Sequence, residues 1–395
     1  MVDRRSVVVG AAAVLAGMAM AGPLPAAAAD PVRVGLILPL SGPFASTGRQ
    51  IETAVRLYME QHGSQVAGRP VELVVRDDTG TADLTKRLAQ ELVVRDRVAV
   101  LAGFGLTPLA LAAAPIATQG QVPQIVMSAA TSIITEQSPF IVRTSFTAAQ
   151  ATVPLADWAA GNGIRSVVTL VTDYAPGIDT EAAFKSRFTA AGGTVAGELR
   201  VPLRNPDFAP FLQKAADLKP DALFVFVPSG VGAQFMKQFA ERGLAQAGMT
   251  VLAEGSVTDD DLLNGMGDVA LGVVSSHHYS AAHDSPGNKA FVDAFRKAGG
   301  GARPNFMAVG GYDGMHLLYE ALKKTGGASD GPALVEAMKG MSWTSPRGPV
   351  SIDPETRDIV QNIYIRRVER VNGELHNVEF ATIPAVKDPV KAAKP

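Results

Sequence analysis

The stretch LAGFGLTPLALA (Leu101–Ala112) follows a short apolar run, Val98 to Ala102, and passes through a glycine turn into helix-favouring leucine and alanine. Strand, tight turn and helix in that order are the repeating unit of an open α/β sheet, which binds ligands at the carboxyl ends of its strands. A dinucleotide fingerprint G-x-G-x-x-G would match at Gly103 and Gly105 but needs a third glycine where Pro108 stands. Thr107 before Pro108 instead pairs a good helix N-cap with the residue favoured at the first helical position. Free amides of that first turn, beside a hydroxyl, suit a small anion such as a carboxylate. Thr107 is equally suited to capping its own helix and nothing more.

Outward from this turn the same unit recurs. Val32 to Leu38, Pro70 to Arg76, Val98 to Ala102 and Val122 to Met127 read as strands, separated by amphipathic segments at Ile51 to His62, Ala82 to Arg95 and Leu109 to Gln119. A second series follows, with strands at Ser166 to Val171, Thr194 to Val201, Ala222 to Val227 and Thr250 to Ala253. The alternation predicts two α/β lobes, each with a parallel sheet covered on both faces. A mostly helical region, Pro286 to Met341, and two strand-like runs, Gly348 to Ile352 and Ile359 to Val368, must complete one lobe or the other. The chain is therefore expected to cross between lobes more than once.

The ends and the composition set the class. Arg4-Arg5, an apolar run from Ser6 to Ala21 and the segment Pro25 to Ala29 have the layout of a cleavable export signal over residues 1–29. The arginine pair is compatible with twin-arginine export as well as the general route. The apolar run is short of the roughly 20 residues a membrane span needs. The 395-residue chain has no cysteine, which rules out disulfides, thiolate metal sites and thiol nucleophiles. A net charge of −2 without a basic run argues against nucleic acid as a partner. The tail Val386 to Pro395, rich in Pro, Lys and Ala, is expected to be disordered.

Several side chains are candidates for chemistry. Ser128, Ala129 and Thr131 stand in a small, hydroxyl-rich loop after the strand Val122 to Met127, one strand away from Thr107. Taken singly, Thr131 reads as an ordinary turn residue. Glu254 ends the strand Thr250 to Ala253 and is placed to meet an ammonium, or else is a solvated loop residue. Asp259-Asp260-Asp261 reads as the acidic start of a helix. His277, His278 and His283 lack the spacing of a zinc site and read as a polar connection, so no metal and no cofactor is expected. Neither a serine-hydrolase elbow nor a phosphate loop is present in the sequence.

The segment Val32 to Gly48 (VRVGLILPLSGPFASTG), Arg76-Asp77-Asp78-Thr79, Phe140 to Thr144 (FIVRT) and Leu252-Ala253-Glu254-Gly255 resemble the branched-chain amino-acid-binding group of periplasmic solute receptors for ABC transporters. The resemblance runs from about Val32 to about Phe380. It implies a type I periplasmic-binding fold of two Rossmann-like lobes joined by a three-strand hinge, residues 30–145 with 280–347 in one and 146–279 with 348–385 in the other. The hinge strands would lie near Arg143 to Phe146, His277 to Ser280 and Gly348 to Ile352. The ligand carboxylate would meet Thr107 and the loop Ala129 to Thr131, and an ammonium would meet Ala129, Thr131 and Glu254. Departures concern the ligand: Asp173-Tyr174-Ala175-Pro176-Gly177 has proline where many relatives have a second tyrosine, and Thr47 stands where an aromatic ring is common. Phe104 and Tyr174 remain candidate walls. The implied protein is a monomeric, non-enzymatic receptor that delivers a small carboxylate solute, either an amino acid or an aromatic acid, to a membrane permease. An exported α/β enzyme and a ligand-sensing module are the rival readings.

Overall fold

Val32–Leu38 is a near-continuous apolar run and forms strand β1 with only Arg33 exposed, as a strand covered on both faces requires. In the computed structural model, which describes Met1 and residues 30–393, β1 lies inside a six-stranded sheet. After it come α1 (Ala45–His62), β2 (Gln65–Val66), β3 (Arg69–Asp77), α2 (Ala82–Val94), β4 (Val100–Gly103), α3 (Thr107–Gly120), β5 (Gln124–Val126) and β6 (Ile141–Arg143). The order across the sheet is β2-β3-β1-β4-β5-β6, and every pairing except β2 with β3 is parallel. The export signal expected over residues 1–29 lies outside the described residues, Met1 apart.

The second lobe repeats the scheme with α4 (Ala148–Gly161), β7 (Ser166–Thr172), α5 (Ala175–Ala190), β8 (Thr194–Val201), α6 (Ala209–Leu218), β9 (Ala222–Phe226), α7 (Gly232–Glu241), β10 (Thr250–Glu254), the short α8 (Leu263–Met266) and β11 (Val274–His277). The chain then returns to the first lobe, where α9 (Pro286–Ala298), α10 (Phe306–Lys324) and α11 (Gly331–Met338) share one apolar core with β1 and α1. It crosses back into β12 (Ser342–Ser345), β13 (Gly348–Ile352), β14 (Ile359–Val371) and β15 (Glu374–Val386), and closes with α12 (Pro389–Ala392). By sheet membership the chain leaves the first sheet after β6, returns to the first lobe's helices after β11 and reaches the second sheet at β12, whereas the resemblance places the third crossover near Gly348–Ile352. Residues 342–345 thus extend the second sheet, although Trp343 and Ser345 bond Asp313 of α10 at 2.9 and 2.7 Å.

The second sheet is mixed rather than purely parallel. Its order is β12-β13-β14-β11-β10-β9-β7-β8, with β15 on β14; β7 to β11 run parallel, and the late strands join antiparallel. Antiparallel addition follows from connection length. The two residues Asn372 and Gly373, with φ of 52° and 87°, form the tight turn that folds β15 back on β14. The tail expected to be disordered from Val386 is instead folded as far as Ala393. Asp388 accepts from the Val390 N–H at 3.1 Å to cap α12 and from the Ser132 hydroxyl at 3.1 Å, which ties the segment to the first lobe.

Candidate ligand-binding cleft

The turn after β4 owes its glycines to packing. Gly103 has φ of 107°, and a side chain there would lie 2.4 Å from the Ile37 carbonyl, a position only glycine tolerates. A side chain at Gly105 would lie 2.8 Å from the Pro39 ring. The turn is thus pressed onto the end of β1, and the close approach the glycines permit is to protein backbone. Phe104, in the left-handed region at φ 67°, is buried in the core beneath α2 and α3 and does not face the cleft. Leu106, not Thr107, is the extended N-cap residue of α3. Thr107 is the first helical residue, and its hydroxyl pairs with that of Thr131 at 2.8 Å instead of capping.

A narrow cavity opens at this helix end, between the lobes. The first lobe lines it with Gly105, Leu106, Thr107, Ser128, Ala129, Ala130, Phe306 and Met307, and the first passage between lobes adds Phe146. The second lobe contributes Tyr174, Pro176, Phe226, Pro228, Ser229 and Ser256. Four expected residues therefore line it: Thr107, Ser128, Ala129 and Tyr174. Thr131 stands one bond behind Thr107, and Thr47 is buried in α1 with its methyl group toward Gly105. Phe226, Phe146, Phe306 and Met307 also line the cavity, without a mark in the sequence that sets them apart as ligand contacts. Phe226 is indistinguishable from core in an apolar strand, but Asn305, which accepts from the Met307 and Ala308 amides at 3.0 and 3.2 Å, marks the start of α10 as a helix end.

Arg143, in the motif Phe140 to Thr144, organises the cleft from behind. Fully buried, it donates to the Thr131 carbonyl at 2.7 Å and the Phe146 carbonyl at 3.0 Å, and pairs with Asp358 at 3.1 Å. One side chain thereby fixes the hydroxyl loop, a cavity wall and the link between β13 and β14.

No side chain lining the cavity is charged. Glu254 is fully buried behind it, accepting from the Ser256 N–H at 3.0 Å and lying 3.4 Å from His277 Nδ1. Burial pushes its carboxyl up to about 7, and burial together with Arg366 and Arg347 pushes the His277 imidazole well down. The Glu254 carboxyl is thus about half protonated near neutral pH beside a neutral His277, and it is not among the side chains that line the cavity. His278, also buried, is held neutral in the same way and lies against the rings of Phe146 and Phe306. His283 pairs with Glu379 at 2.8 Å. Among the described residues no group of three acids or histidines is placed to hold a metal. Asp77 accepts from the amides of Leu40 and Thr79, as a turn residue does.

Known proteins share this architecture. The profile of the family described as periplasmic binding protein matches residues 31–374. The Leu/Ile/Val-binding protein homolog 6 of Brucella melitensis biotype 1 is 47% identical, the match covering 92% of this chain and 94% of that one. A solute binding protein of an ABC transporter from Rhodopseudomonas palustris BisB5, solved in complex with 3,4-dihydroxy benzoic acid, is 65% identical with a TM-score of 0.89, covering 91% of this chain and 99% of that one. Another from Rhodopseudomonas palustris HaA2, in complex with p-hydroxybenzoic acid, is 43% identical with a TM-score of 0.89, covering 92% and 100%. The chain belongs to the periplasmic binding protein family, as a substrate-binding protein for a small acid.

Proposed function

We propose that the solute is an aromatic carboxylate without an amine, of the benzoate class, taken up from the periplasm and handed unchanged to a membrane permease by a monomeric receptor. One observation carries the choice of ligand: the cavity is walled by Phe146, Tyr174, Phe226 and Phe306 and lined by no charged side chain. An ammonium enclosed there would lack a carboxylate partner and keep its desolvation cost. A flat ring suits the aromatic walls, and the benzoates held by the two Rhodopseudomonas relatives agree with it. The carboxylate goes to the start of α3. There the Thr107 N–H has no intrahelical acceptor, and a Thr131 hydroxyl that donates to Thr107 leaves the Thr107 hydrogen free for the ligand. Export through the signal over residues 1–29, cleaved near Ala29, completes the reading.

Thermal shift of the mature protein tests it. Benzoates are expected to raise Tm, by about 2.7 kcal/mol of added stability at 100 times Kd, and leucine, isoleucine and valine are not. Thr107→Ala should weaken the benzoates about tenfold. Stabilisation by the aliphatic amino acids alone would overturn the assignment.

A further inference from the structure

The three acids Asp259-Asp260-Asp261 do not begin a solvated helix. Asp259 and Asp260 are buried and Asp261 partly so, and burial together with the neighbouring Asp261 raises the Asp259 carboxyl well above the usual range. Asp259 Oδ2 accepts from the Ser229 hydroxyl and from Asn305 Nδ2 at 3.0 Å. Asn305 belongs to the first lobe and also donates to Asp261 at 3.3 Å. Ser46, again from the first lobe, donates to Asp261 at 2.6 Å. A serine of the cavity wall is thus backed by a buried acid whose other donor arrives from across the cleft.

This arrangement fixes what Ser229 offers to a ligand. A hydroxyl has one hydrogen and two lone pairs. Asn305 donates to the same Asp259 Oδ2, which places the proton that this carboxyl retains on Oδ1; the Ser229 hydrogen then goes to Oδ2 and the Ser229 oxygen is left as an acceptor. A carboxylate cannot donate to it, and neither can a bare ring edge, but a phenolic hydroxyl can. Thr107 lies in the first lobe and Ser229 in the second, so a solute whose carboxylate meets one and whose ring hydroxyl meets the other would bridge the cleft.

We propose that Ser229, with its hydrogen held by Asp259, accepts a hydrogen bond from a ring hydroxyl of the solute, so that the cleft selects hydroxybenzoates over benzoate. The assignment rests on the aromatic-acid reading of the same cavity. Asn305 and Ser46 come from the opposite lobe, so the meeting of the lobes holds the acids in place behind Ser229. Recognition of the hydroxyl therefore adds to the affinity of the closed form, the only kind of interaction that drives closure.

Calorimetric titration of the full mature chain with benzoate, 4-hydroxybenzoate and leucine provides the test. Wild type should bind 4-hydroxybenzoate more tightly than benzoate. Ser229→Ala should lose about tenfold for 4-hydroxybenzoate and less than about twofold for benzoate, and benzoate binding by the variant shows that it is folded. Equal affinity of wild type for the two benzoates, or an equal loss for both in Ser229→Ala, overturns the role of Ser229 and leaves the aromatic-acid reading standing. Binding of leucine with no binding of either benzoate overturns that reading, and this assignment with it.

Discussion

Glu254 shows how burial redirects a charged side chain. Its position at the end of β10 is readable from sequence, but its direction is not, because His277 comes from the neighbouring strand and no local pattern announces it. Its carboxyl, near 7 when folded against an ordinary 4.5, keeps a proton that the unfolded chain releases between those values. The folded state binds more protons in that window, so Glu254 makes stability fall as pH rises from about 4.5 to 7, by roughly 3 kcal/mol at full extent. His277 works the other way: its imidazole, pushed below 6.5, stays neutral when folded and loses stability as pH falls below that value. Comparison of Glu254→Gln with wild type isolates the first effect. The Tm of the variant should gain on that of wild type between pH 5 and pH 8, while affinity for 4-hydroxybenzoate changes less than about threefold because no cavity-lining group is removed. A Tm difference that is the same at both pH values would contradict the buried, proton-holding Glu254, and a large loss of affinity would put it back in the cleft.

At the scale of elements, legibility follows the regularity of the apolar pattern. The runs Val32–Leu38, Thr194–Val201 and Gly348–Ile352 read from sequence end where the strands end, since apolar or alternating patterns stop at turn residues. β15 (Glu374–Val386) is not legible because its sequence, ELHNVEFATIPAV, carries no clear period. Asn372-Gly373 was the signal that could have found it. Helix α10 matters most for the site, since its first two residues wall the cavity and Asn305 caps it while bonding two acids of the other lobe. Asn305→Ala should therefore cost more than loss of a cap, at least about 2 kcal/mol by thermal unfolding, and should weaken 4-hydroxybenzoate. Asp330→Ala is the matched control, because Asp330 caps α11 at an exposed end, accepting from Ala333 N–H. It should cost about 1 kcal/mol and leave affinity unchanged. Equal effects of the two variants on binding would separate α10 capping from the cleft.

The whole molecule adds what no segment contains, contacts between lobes far apart in the chain. Ser46 and Asp261 are 215 residues apart, so an acidic triplet that looks solvated in sequence is in fact part of the seam. The last residues of the chain act on the same equilibrium from behind the hinge. Asp388 accepts from Ser132, and Lys391 reaches both Thr135 and Asp358; Ser132 and Thr135 follow directly on the loop that carries Ser128 to Thr131. Asp358 in turn pairs with Arg143, which holds the carbonyls of Thr131 and Phe146. The C-terminal segment thus braces the ligand loop against the second lobe without lining the cavity. A ligand gains from closure only the difference between its affinities for the two forms, and a brace that favours the closed form raises apparent affinity by the population it adds. Deletion of residues 387–395 should lower Tm and weaken 4-hydroxybenzoate several-fold, chiefly through faster dissociation, with every cavity residue intact. Surface plasmon resonance on the truncated and full-length chains measures this directly, and an unchanged dissociation rate would show that the segment stabilises the fold without touching closure.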